Sequence, residues 1–97
     1  MKLTVGQDLQ PVYDLIFRVK RNFPHHFSNI KTVIHNIDRY IGQYNNNLWL
    51  YSRKPCDKYR EAAQQDLDNI SKLLTALERA EMIGYLSGES RARNDLF

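Results

Sequence analysis

The 97 residues are poor in the features that most often reveal an activity. The single cysteine, Cys56, can form no disulfide within the chain. Four glycines are too scattered to build a phosphate-cradling loop. No apolar run approaches the roughly 20 residues that span a bilayer. The opening MKLTVGQDLQ has one lysine and no apolar core, so no signal peptide is expected. These features fit a reducing, cytoplasmic setting. The three histidines offer no metal-ligand spacing: His25 and His26 are adjacent and diverge by about 100° on a helix. No metal or other cofactor is expected. Cys56 has no base paired with it by any motif, and Asp66 and Asp68 face different ways on a helix. No enzyme is expected.

What the chain does have is helical periodicity. A hydrophobic fraction of 42% and a charged fraction of 26% suit one globular domain over residues 1–97. The first helix is expected from Asp8 or Leu9 to about Asn22, with Asp8 as N-cap and Pro11 in the first turn. Its apolar residues Leu9, Val12, Tyr13, Ile16 and Phe17, with Leu15 and Val19 beside them, predict a wide buried arc flanked by two partners. In the second helix Phe27, Ile30, Ile34, Ile37, Ile41 and Tyr44 form a seam at alternating spacings of three and four. That helix is expected to stop near Asn45, where Asn45, Asn46 and Asn47 read as a breaker. Gly42 reads as a point of close helix approach. Asn45 to Cys56 then reads as a connection, with a weak strand signal at Leu48–Tyr51. Leu48, Trp49, Leu50 and Tyr51 either cap the bundle or meet another chain. The third helix is expected from about Asp57 to Ile83 on a stripe of Tyr59, Ala63, Leu67, Ile70, Leu74 and Leu77, with Leu73 and Ala80 widening it. Gly84 reads as its C-terminal stop and Gly88–Phe97 as a short fourth helix. The fold class is all-α, an antiparallel bundle of three main helices plus a short C-terminal helix.

Tyr13-Asp14-Leu15-Ile16 precedes the corner Asn22-Phe23-Pro24, and Leu73-Leu74-Thr75-Ala76-Leu77 precedes Ile83-Gly84-Tyr85-Leu86-Ser87. On these stretches the chain, over roughly Leu9 to Ser87, resembles the four-helix-bundle proteins encoded in intervening sequences of bacterial large-subunit ribosomal RNA. It is similar in the same way to the Avd-type accessory proteins of diversity-generating retroelements. The resemblance implies a homo-oligomer, commonly a ring of five bundles, whose basic surface binds nucleic acid. It also implies a mobile-element setting, and for Avd-type members a reverse-transcriptase partner.

Charge gives a separate lead. Residues 1–60 carry ten Lys/Arg against four Asp/Glu, whereas residues 61–97 carry four against seven. Arg18, Lys20 and Arg21 crowd the end of the first helix, followed by His25 and His26. Lys31, His35 and Arg39 lie about four apart on the second, and Arg53 and Lys54 sit with Lys58 and Arg60 near the start of the third. A track of this kind would hold phosphates with little regard to sequence. The expected function is therefore a non-enzymatic accessory protein that binds RNA or DNA. The alternative is a small protein-interaction module, a phage or mobile-element adaptor or inhibitor, docking through Leu48–Tyr51. Aromatic anchors often dominate such contacts.

Overall fold

The computed structural model describes residues 2–22 and 27–87, with the side chains of residues 27–29 and 83–87 left aside. Three helices follow one another: α1 (Gln10–Asn22), α2 (Phe27–Arg53) and α3 (Asp57–Ser87). Among the described residues there is no strand, and no helix is long and apolar enough to cross a membrane. The all-helical class is as expected; the expected fourth helix lies outside the described residues.

Helices α2 and α3 form a long antiparallel hairpin within a rod about 55 Å in length. The seam of α2 is buried at Ile30, Ile34, Ile37, Ile41 and Tyr44, and faces Ala63, Leu67, Ile70, Leu74 and Leu77 of α3. Helix α1 fills one groove of this hairpin with Val12, Leu15, Ile16 and Val19. It starts as the sequence predicts: Asp8 Oδ1 accepts from the Gln10 amide at 3.0 Å, and Leu9 O accepts from Val12 N at 3.0 Å.

The N-terminal segment fixes the direction of α1. Gln64 on α3 accepts from Val5 N at 3.2 Å and donates to Leu3 O at 2.9 Å. Tyr44 Oη accepts from Gly6 N at 3.0 Å. Further along, Arg18 pairs with Glu81. Helix α1 therefore runs parallel to α3. Gly6 sits at φ +90° in a turn closed by Gln7 N donating to Thr4 O, a conformation that favours glycine. Leu3 is buried by this arrangement, although periodicity gave no sign of it.

Four expectations are corrected. First, the three asparagines do not stop α2, which continues to Arg53. Each asparagine gives up only about 0.7 kcal/mol of helix propensity. The apolar seam meanwhile continues from Tyr44 to Leu48, which packs against the core. Asn47 also donates to Asp66 across the hairpin at 2.8 Å. Tertiary packing outweighs propensity here. The actual stop is Pro55, which disfavours helical geometry at Lys54. Leu48–Tyr51 is accordingly helix, neither connection nor strand.

Second, α3 runs through Gly84 to Ser87. An interior glycine weakens a helix by only about 1 kcal/mol, too little to end one this long. Third, Gly42 is exposed, with nothing within 4 Å of where a Cβ would stand, so no helix approaches it. Fourth, the buried arc of α1 is narrower than expected. Tyr13 and Phe17 are 45% and 66% exposed, because they lie beyond the arc that two neighbouring helices can cover.

Candidate nucleic-acid interface

The extension of α2 to Arg53 changes the geometry of the basic residues. An α-helix repeats its direction after eighteen residues, which is five turns. Lys31 and Trp49 are eighteen apart, and so are His35 and Arg53. Lys31, His35, Arg39, Gly42, Asn46, Trp49 and Arg53 thus share one face of α2, and all seven are exposed. Exposed Asp38 lies about 20° to one side of Lys31 and Trp49, at the edge of that series. The face measures about 33 Å from Lys31 to Arg53. It lies opposite the seam, so α1 and α3 leave it to solvent.

Two local contacts shape it. The Arg53 guanidinium lies over the Trp49 ring, 5.5 Å from its centroid, an i, i+4 pairing. The Arg39 guanidinium lies 5.3 Å from the Tyr40 centroid. Trp49 keeps 57% of its surface exposed, so the arginine does not enclose it. Ser52 Oγ donates to the Trp49 carbonyl at 2.7 Å, a local bond one turn along.

Just past Arg53 the chain turns at Lys54–Cys56 and re-enters helix. The Cys56 carbonyl accepts from Tyr59 N at 3.0 Å and so starts α3. Lys54, Lys58 and Arg60 are exposed around this tip. Asp57 and Glu61 are exposed there as well. Leu3 and Val5 meet Gln64 just past this tip, and Thr4 and Val5 line an open depression with Asp57, Arg60 and Glu61.

The remaining expected residues divide. Lys20 and Arg21 are exposed at the C-terminal end of α1, at the opposite end of the rod from Arg53. Arg18 is held by Glu81 through two bonds, Nε to Oε2 at 2.6 Å and Nη2 to Oε1 at 3.1 Å. That bidentate pairing ties its guanidinium to α3. An open depression lined by Asp14, Phe17, Arg18, Arg21 and Asn22 lies beside it. His25 and His26 fall outside the described residues. Leu48, Trp49, Leu50 and Tyr51 do not form one patch. Leu48 packs on the core, Leu50 and Tyr51 are half-buried, and Trp49 alone of the four is largely exposed.

From sequence, Trp49 reads both as part of a Leu48–Tyr51 docking stretch and, with Tyr51, as an aromatic near the basic cluster that could stack on bases or be buried. Its alignment with Lys31 is not apparent. The eighteen-residue relation to Lys31 and His35 was present in the sequence, but it has meaning only once the asparagine run is known to be helical. Among the described residues, no three His, Cys, Asp or Glu side chains are grouped to hold a metal ion. Cys56 is a free thiol at the tip, half-buried. No family, curated protein or solved structure matches the chain.

Proposed function

We propose that this protein is a non-enzymatic accessory protein that binds a nucleic-acid backbone along the outer face of α2. One observation carries the reading: Lys31, His35, Arg39 and Arg53 stand on a single exposed helical face, where Asp38 at its edge is the one acidic residue of α2. Successive positions four apart on a helix advance about 6 Å, a step comparable to phosphate spacing along an extended strand. Lys31 and Arg39, about 12 Å apart with His35 between them, and Arg53 about 21 Å further on attract a polyanion and release its counterions, so binding weakens with salt. Lys20 and Arg21 extend the positive field at one end; Lys54, Lys58 and Arg60 extend it at the other. The resemblance to intervening-sequence and Avd-type four-helix-bundle proteins points in the same direction. It adds a homo-oligomeric assembly and a mobile-element setting to the proposal, and the single cysteine fits a cytoplasmic location.

Fluorescence anisotropy with labelled single-stranded RNA, duplex RNA and duplex DNA, from low to physiological salt, tests this. Binding should fall log-linearly with salt. Reversing Lys31, Arg39 and Arg53 to glutamate should abolish it while circular dichroism stays unchanged, because all three are exposed. Absence of binding at low salt overturns the proposal and favours the alternative, a protein-interaction module centred on Trp49.

A further inference from the structure

We infer that Trp49 is a stacking platform for an unpaired base, so that the α2 face takes single-stranded rather than duplex nucleic acid. The inference rests on the proposed backbone binding and adds to it the class of ligand.

Trp49 is the most conspicuous apolar group on an otherwise polar face. A large aromatic side chain 57% exposed on a regular helix contributes little to the fold. The core beneath is already filled by Tyr44 on the preceding turn and by Leu48 beside it. Its position is what gives it meaning. It stands in line with Lys31, and one turn before Arg53, whose guanidinium lies 5.5 Å from its ring centroid. Charge complementarity selects a polyanion as the occupant. From Trp49 to Glu61 the hairpin tip carries four cations, Arg53, Lys54, Lys58 and Arg60, against Asp57 and Glu61.

An indole offers a polyanion's bases a flat π-surface, and every base has a face to place on it. In a duplex those faces are occupied by neighbouring bases and are presented only at ends. In a single strand they are available while the phosphates remain within reach of nearby cations. Arg53 serves both purposes: it steadies the indole from one side and can reach a phosphate flanking the stacked base. The turn at Lys54–Cys56 is exposed at Lys54 and Pro55, whereas on the α3 side Thr4 and Val5 line a depression with Asp57, Arg60 and Glu61.

Trp49 is the protein's only tryptophan, so its fluorescence reports on this site directly. The first measurement is titration of the full chain with an unstructured oligouridylate and with a blunt RNA duplex at low salt. The expected result is quenching of Trp49 emission by the single strand with little change from the duplex. In anisotropy, Trp49→Ala should weaken single-strand binding roughly ten-fold, the worth of one stacked base, and Trp49→Phe should restore much of it. Both variants should leave duplex binding unaltered. Binding to both ligands with no quenching, and with Trp49→Ala equal to the parent chain, overturns the stacking inference while leaving backbone binding in place. No binding to either ligand overturns both. Loss of self-association in Trp49→Ala, seen by sedimentation without change in single-strand binding, assigns Trp49 to a protein contact and overturns the inference.

Discussion

Asn47 donates its Nδ2 to Asp66 Oδ2 at 2.8 Å, joining α2 to α3 across the hairpin. Seven residues back along α2 and seven forward along α3 stand Tyr40 and Leu73, and a further seven give Val33 and Ala80. All four are partly buried against the core. The amide–carboxylate pair is thus the polar member of a heptad-spaced edge. Asp66 itself is only 7% exposed.

Burial raises the Asp66 pKa above its ordinary 3.8, and the hydrogen bond from Asn47 opposes this without cancelling it. An acid whose folded pKa exceeds its unfolded value holds a proton more readily in the folded state. Its contribution to stability is full below the unfolded value of 3.8 and is lost as pH rises through the folded value. Asp66→Asn keeps an oxygen for Asn47 and stays neutral at every pH. Its Tm should therefore exceed that of the parent chain at pH 7, with the difference closing as the solution is acidified below that range. A variant less stable than the parent at pH 7 would show that the charged hydrogen bond outweighs the burial penalty.

Gly42 is the residue whose role changed most between sequence and structure. Exposed on α2 with open space at its Cβ position, it contributes only backbone freedom to the unfolded chain. Gly42→Ala should raise stability by about 1 kcal/mol. In a domain of this size that is a Tm increase of about 4–8 °C. Thermal melts monitored at 222 nm will show it. A lower Tm would place a neighbour against Gly42.

Phe17 and Leu67 look alike in a periodicity reading and behave differently in the fold. Leu67 is fully buried between α2 and α3, whereas Phe17 is 66% exposed. Leu67→Ala should destabilise by about 2–5 kcal/mol through lost burial and the cavity left behind. Phe17→Ala should change stability by about 0.5 kcal/mol or less. Urea denaturation of the two variants, with the slope held common, separates them. A Phe17→Ala loss approaching that of Leu67→Ala would mean that Phe17 is covered in solution by a partner or a second copy.

The legible parts of the fold were those governed by local repetition. The Ile30–Tyr44 seam and the Ala63–Leu77 stripe repeat every three or four residues, and both are buried as that spacing demands. The misread parts depend on contacts distant in sequence. Asn47 looks like a helix breaker until Asp66 is beside it. Leu3 and Val5 look like a loose terminus until Gln64, some sixty positions away, takes their backbone groups. The basic residues of the candidate interface were legible individually by charge. Their alignment was hidden because it required α2 to pass through the asparagine run.

That alignment yields a quantitative expectation for salt. Each phosphate neutralised contributes about 0.7 to the slope of log K against log salt on a single strand, and about 0.9 on duplex DNA. Lys31, Arg39 and Arg53 are exposed on the shared face. Replacing any one with glutamine should lower the slope by about that amount, and replacing all three by about 2. Arg18 is the control. Its guanidinium is already paired at 2.6 Å with Glu81, so Arg18→Gln should leave the slope nearly unchanged. The protein should remain folded, because a partly exposed pair of this kind contributes at most about 1 kcal/mol. Equal slopes for all four single variants would mean that no one of these cations touches a phosphate and that the field of the whole rod attracts the strand. A slope lowered by Arg18→Gln alone would move the interface to the end of α1.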